Sequence, residues 1–164
     1  MHTTRKATFN DVDTIVQLAK DIWWPTYSPI LEKEQIEYML GTIYATEVVE
    51  RQVETAEQTF LLLLEDDQPV GFAAYSQRED NPDVYKLHKL YCLPAMQGKG
   101  YGKALINEVI KQVKDAGASN LDLNVNRYNK AKGMYQKMGF EVIYEEDIPI
   151  GPYFMNDYVM RKSL

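Results

Sequence analysis

One stretch, Tyr85 to Gly117, limits what this chain can fold into more than any other. It reads as a strand, a glycine-bearing turn and a helix. The strand is Tyr85-Lys86-Leu87-His88-Lys89-Leu90-Tyr91-Cys92, and the turn is Gln97-Gly98-Lys99-Gly100-Tyr101-Gly102. Leu105, Ile106, Val109, Ile110 and Val113 then recur at helical spacing, and Gly117 suits the C-terminal cap. Glycines at alternate positions let backbone N–H groups converge on one concave space without Cβ obstruction. They lead into a helix N-terminus, where the first turn of amides lacks partners and the dipole is positive. Lys99 and Lys103 add positive charge. Such a turn suits a phosphate or pyrophosphate; the alternative is a glycine-rich surface bend without a ligand.

Spacing excludes two phosphate motifs. The dinucleotide fingerprint G-x-G-x-x-G fails because Lys103 holds its last glycine position when counted from Gly98. The nucleoside-triphosphate loop G-x-x-x-x-G-K-[ST] fails twice, with Gln97 at the first glycine and Ala104 after Lys103. The pattern that fits is Q-x-x-G-x-G, from Gln97 to Gly102.

Taken in order, residues 3–8 suit a short strand. Asn10 is the expected N-cap of a helix with Val12, Ile15, Ala19 and Ile22 on one face, ended at Trp23-Trp24 by Pro25. A second helix follows Pro29, with Ile36, Met39, Leu40 and Ile43 at helical spacing, and a third covers 47–56. Residues 59–65 and 70–78 form a hairpin around Asp66-Asp67-Gln68-Pro69. In the strand that follows, Leu87 and Leu90 are three apart and would face opposite ways, so either a β-bulge lies between 87 and 91 or the strand is buried on both faces. Residues 120–126 alternate cleanly. Asn129 caps a helix with Ala131, Met134, Tyr135 and Met138 on one face, ended by Gly139. Strands at 140–147 and 153–162 flank a turn at Pro149-Ile150-Gly151-Pro152. The order implies a mixed α/β sheet with helices on both faces.

The length, 164 residues, suits a single domain over 1–164. A net charge of -6 and the absence of a Lys/Arg run argue against a nucleic-acid partner. One cysteine excludes an internal disulfide and a cysteine-based metal cluster, and no metal site is expected. The N-terminus lacks a signal-peptide pattern, and the run Phe60-Leu61-Leu62-Leu63-Leu64 is too short to span a bilayer. A soluble cytoplasmic protein without a membrane role is expected. A homodimer through the β hairpins is left open.

The Q-x-x-G-x-G turn resembles that of the GNAT acetyltransferase superfamily, and Leu90-Tyr91-Cys92-Leu93-Pro94 resembles the family's L-Y-V-x-P strand end. The segment from Asn124 to Phe140 resembles its second signature, N-x-x-A-x-x-x-Y-x-K-x-G-F. The resemblance implies a mostly antiparallel sheet of about six or seven strands in which a bulge splays two central strands. It implies acetyl-CoA as cofactor, held by Leu90, Tyr91 and Cys92, by Gln97, Gly98, Lys99, Gly100, Tyr101, Gly102 and Lys103, and by Asn124, Asn129, Lys132, Tyr135 and Lys137. The implied reaction is N-acetyl transfer to a primary amine by direct attack in a ternary complex.

By the same resemblance Tyr135 is the acid. A tyrosine, with a pKa near about 10, keeps its proton at neutral pH and can give it to a thiolate. The Cys92 backbone N–H is the expected oxyanion donor. The family's strand glutamate is missing, its position being taken by Lys86, so the base is open between His88 and an ordered water chain. The implied acceptor site lies between the first two helices and the last hairpin, where Trp23, Trp24, Tyr27, Tyr38 and Asp157 are candidates. Aromatic faces and an acidic rim around Glu141, Glu145, Glu146 and Asp147 suit a small cationic amine. Trp24-Pro25-Thr26-Tyr27 and Asn156-Asp157-Tyr158-Val159-Met160 resemble polyamine acetyltransferases of the PaiA type. Peptide N-termini, protein lysines and a non-catalytic acyl-CoA sensor remain alternatives.

Overall fold

In the computed structural model, which describes residues 1–164, side-chain alternation feeds two cores. Phe60, Leu62, Phe72 and Ala74 point to one face of the sheet, while Leu61, Leu63, Ala73 and Tyr75 point to the other. Both faces are covered, so these strands read as near-continuous apolar runs rather than alternating ones. The elements are β1 (His2–Lys6), α1 (Val12–Tyr27), α2 (Lys33–Ile43), α3 (Thr46–Glu54), β2 (Thr59–Glu65), β3 (Gln68–Gln77), β4 (Val84–Cys92), α4 (Tyr101–Asp115), β5 (Asn120–Asn126), α5 (Ala131–Lys137), β6 (Glu141–Ile150) and β7 (Tyr153–Ser163). The seven strands run β1-β2-β3-β4-β5-β7-β6, antiparallel throughout except between β4 and β5. α1, α2 and α3 cover one face and α4 and α5 the other. No helix is long and apolar enough to cross a membrane.

Three local expectations need correction. The N-cap of α1 is Asp11 rather than Asn10, and a short 3-10 turn at Phe9–Asp11, capped by Thr8, precedes it: the Thr8 N–H donates to the Asp11 carboxylate at 2.8 Å. Pro25 does not end α1, which continues to Tyr27. The lost proline donor falls in the last turn, where the Ser28 N–H and hydroxyl both return to the Trp24 carbonyl. Tyr27 is also tied down by burial and by its hydroxyl, 3.0 Å from that of Tyr91. β6 extends to Ile150 through Pro149, which an edge strand tolerates because one side of it has no ladder to satisfy.

The bulge falls on β4 as the leucine spacing implies. Ala74 pairs with Lys89 and Tyr75 with Leu87, leaving His88 as the extra residue. Leu87, Leu90 and Cys92 thereby all pack on the α4–α5 face. The parallel pairing of β4 with β5 ends at Leu87 and Leu123, although both strands continue, to Cys92 and Asn126. Below that point the strands are pinned by Asp122, which is 1% exposed. It accepts from Arg161 at 2.7 and 2.9 Å and from Arg78 at 3.3 Å. Above it the sheet opens.

Candidate active site

The opening holds a cavity of about 440 Å³ that runs from the starts of α4 and α5 to Ile22, Thr26 and Tyr27 of α1. One end is the glycine turn. Gly98 and Gly100 have φ of 83° and 76°, a left-handed backbone that side chains rarely adopt. The result is a set of free donors: the N–H groups of Gly98, Gly100, Tyr101, Gly102 and Lys103 have no main-chain acceptor, while Ala104 is the first to bond back, to Gly100. Gly102 sits in the first turn of α4, where an added Cβ would lie 3.5 Å from the Met134 sulfur. Gln97 and Lys103 line the same end. Lys99 does not: its ammonium is turned away onto Glu65, at 3.0 Å.

The wall is the bulged strand. The Leu93 N–H donates to the Val70 carbonyl at 2.9 Å, on the β3 side. By strand alternation the Cys92 N–H turns the opposite way, into the gap. Leu90, Tyr91 and Cys92 line the cavity, with Asn124, Asn129 and Tyr135 across from them. Burial pushes the Cys92 thiol up to about 11, so it stays protonated and is a poor nucleophile. Tyr135 is 6% exposed, its ring edge-on to Phe140, and burial raises its pKa. The N-cap of α5 is Lys130 rather than the expected Asn129, whose side chain accepts from the Ala131 N–H at 2.9 Å just ahead of the helix. Two expected cofactor residues lie elsewhere. Lys132 rests over the Tyr158 ring, 4.2 Å from its centre, and Lys137 lines a separate hollow with Lys103 and Lys162.

A second cavity, of about 410 Å³, lies on the α1–α3 side. The two share Tyr27, Leu87, His88, Lys89, Tyr91 and Asn124, so they meet through the gap between β4 and β5. Trp23 and Asp157 line the second. Trp23 stacks on Tyr27 at 4.5 Å, and both are buried. Asp157 is 5% exposed, and its pKa is pushed up to about 6, chiefly by burial. His88 stands open in the wall, its Nε2 2.6 Å from the Ser76 hydroxyl. Its pKa is held below the usual value by the surrounding protein and by the Lys89, Lys86 and Arg78 cations. Trp24 and Tyr38 lie outside both cavities. Trp24 is half-buried at the edge of the α1–α3 core, between α1 and α2 near Glu37 and Leu40. Tyr38 packs on Tyr153, and its hydroxyl fills the space where a side chain at Gly151 would go.

Residues 27–153 match the model of the acetyltransferase (GNAT) domain. The chain belongs to the GNAT acetyltransferase family. The spermidine N(1)-acetyltransferase of Thermoplasma acidophilum is 25% identical over 163 residues, spanning 97% of this chain and 95% of that one. The crystal structure of the PaiA N-acetyltransferase of the same organism, in complex with coenzyme A, superposes with a TM-score of 0.86 at 27% identity, covering 100% of this chain and 99% of that one. The bS18-alanine N-acetyltransferase of Haemophilus influenzae is 35% identical over 83 residues, which is 51% of this chain and only 55% of that enzyme.

As a GNAT enzyme the protein transfers an acetyl group from acetyl-CoA to an amine. The free amides at the start of α4 fit the cofactor's diphosphate: they are donors without partners at the positive end of a helix. Sequence reasoning overlooked Lys89, which lines both cavities. It is 6% exposed, bonded to Gln58 at 2.7 Å, and brought down to about 8 by burial. The signal was its place beside the bulged residue, which turns two successive side chains to one face.

Proposed function

We propose that the acceptor is a small aliphatic polycation of the spermidine or spermine kind, bound in the α1–α3 cavity and acetylated directly in a ternary complex. One observation carries this reading: the first cavity reaches from the start of α4 through the gap between β4 and β5, and the second, on the α1–α3 face, joins it there through Tyr27, Leu87, His88, Lys89, Tyr91 and Asn124. A cofactor and an acceptor entering from opposite faces reach each other without exchanging places. Inside the acceptor cavity the cation-binding group is Asp157, with the Trp23 and Tyr27 rings beside it. Lys86 and Lys89 line its β4 side. Further ammonium groups must therefore extend away from them, toward Glu146 at the rim. The full-length likeness to a spermidine acetyltransferase supports the same class.

Acetyl-CoA supplies an acetyl group activated as a thioester. The residues of this chain then divide the work. The amides of Gly98, Gly100, Tyr101, Gly102 and Lys103 hold the diphosphate, with the Lys103 side chain adding charge. The Cys92 N–H stabilises the developing oxyanion, a donor typically worth about 3 kcal/mol. Tyr135, kept protonated by burial, gives its proton to the leaving sulfur. His88 is an uncharged part of the wall. The exposed Val142, Ile143 and Tyr144 of edge strand β6 support a homodimer.

Thiol release from acetyl-CoA, measured with a panel of polyamines, monoamines, amino acids and peptides, tests the acceptor class. The polyamines are expected to give the highest kcat/KM. Preference for a peptide N-terminus overturns the reading.

A further inference from the structure

We infer that Asp157 is the group that takes the proton from the acceptor amine, a task the bulged strand is not equipped to perform. The inference rests on the acceptor reading above and deepens it. The strand beside the gap offers Lys86, a cation, and His88, an imidazole whose hold on protons is weakened first by desolvation and then by Lys89, Lys86 and Arg78. Asp157 is of another kind. It lines the acceptor cavity, is 5% exposed, and its Oδ1 has no hydrogen-bond partner. Its Oδ2 is reached by the Asn124 amide at 3.4 Å. A buried carboxylate oxygen left without a donor is costly unless a ligand supplies one.

Strand register puts this oxygen at the right height. Asp157 pairs with Asn126 on β5, and Leu123 of β5 pairs with Leu87 of β4. Carried across the parallel pair, with the bulge at His88 counted out, Asp157 stands level with Tyr91, in the opened part of the sheet. Around it are Lys86, His88 and Lys89 from β4, Tyr27 from α1, Arg127 from the loop after β5, and Glu146 from β6. Burial and Glu146 raise its proton affinity, while Asn124, Lys86 and Arg127 lower it. Burial prevails, at about 6. The unpaired Asp157 oxygen inside the cavity, rather than the His88 ring nitrogen already engaged by Ser76, is the place for a proton leaving the amine.

The step balances as follows. Oδ1 takes one proton from the ammonium and frees the nitrogen lone pair. The C–N bond forms as the C–S bond breaks, and the sulfur takes the Tyr135 proton. The second nitrogen proton restores Tyr135, and Asp157 releases its own to solvent.

The test compares wild type, Asp157→Asn and Asn124→Ala with whichever amine the wild type acetylates best. If that amine is not a polycation, the acceptor reading fails while this comparison runs unchanged. At saturating substrates, wild-type kcat is expected to fall on the acid side with a midpoint near pH 6. Asp157→Asn is expected to lower kcat by about 100-fold or more and to abolish that limb, with coenzyme A affinity by calorimetry unchanged. Asn124→Ala removes a bond to the ionised form and is expected to move the limb to higher pH. Carboxyl-carbon NMR of the unliganded protein gives a readout independent of turnover and of the variants, with Asp157 expected to titrate near 6. The proposal is overturned if Asp157→Asn keeps kcat within about threefold of wild type, if the limb survives, or if the carboxyl titrates in the ordinary aspartate range.

Discussion

Glu146 and Asp157 stand directly opposite one another in the β6–β7 pair, the first exposed and the second buried. Opposed residues share a face, so the two carboxylates lie at different depths of one surface. The flanking Glu145 and Asp147 are both engaged by Arg127, at 3.7 and 3.0 Å. Glu146 meets only the Asn124 amide, at 3.4 Å. A molecule with two cationic nitrogens can place the reactive one inward and the other at this rim. Glu146→Gln is therefore expected to raise KM for a diamine or triamine about fivefold, the worth of one partly exposed ion pair. KM for a monoamine should not change. An equal rise for both would remove Glu146 from acceptor recognition.

Tyr135→Phe keeps the edge-on contact with Phe140 and loses only the hydroxyl. Turnover should fall by about 10²- to 10⁴-fold, with little change in KM for acetyl-CoA or in melting temperature. A variant with wild-type kcat would show that the ring, not the proton, is what the fold requires.

Asp157 also sets a pH dependence of stability. Its folded pKa, about 6, lies above the ordinary 3.8, so the folded state holds this proton more tightly than the unfolded chain does. The protonated carboxyl is compatible with the fold at low pH. Stability is lost as pH rises from about 4 through 6, by about 3 kcal/mol for this group. Asp157→Asn should thus melt higher than wild type at pH 7 to 8, with the difference vanishing near about pH 4. Melting curves at a series of pH values would register this, and a variant less stable at every pH would contradict it.

Gly100→Ala places a Cβ where nothing lies within 4 Å, so its cost is conformational. A non-glycine residue at a φ of 76° loses about 1 to 2 kcal/mol of stability. Gly117→Ala, with a φ of 96° and equally open space, should lose a similar amount. Only the first lies at the anion turn, so calorimetry should record coenzyme A affinity at least about tenfold weaker for Gly100→Ala and unchanged for Gly117→Ala. Equal affinities would mean that the turn does not hold the diphosphate.

What the sequence made legible was local. The apolar run within 59–65 and the alternation along 120–126 marked the strands. The three-residue spacing of Leu87 and Leu90 located the bulge, because a chain cannot put both on one face without an extra residue. The glycine turn was readable because positive φ leaves few choices of residue. What depended on distant partners was not readable. Lys99 belongs to Glu65, far back in the chain, and Pro25 is tolerated because Tyr27 meets Tyr91. Trp24 could have been set aside from the sequence: Ile15, Ala19, Ile22 and Trp23 fill the inward face of α1, and its neighbour points about 100° away. Asp157 carried a signal too, a carboxylate between Met155 and Val159 where the alternation calls for an apolar side chain.

The parting of β4 and β5 above Leu87 and Leu123 leaves two strand edges in the middle of a sheet, just above the ion pairs that Asp122 makes with Arg161 and Arg78. Such edges accept any extended amide chain of suitable length, whatever its side groups. A peptide-like compound that imitates one short strand would wedge there and block the enzyme by backbone pairing alone, carrying neither a phosphate nor an amine.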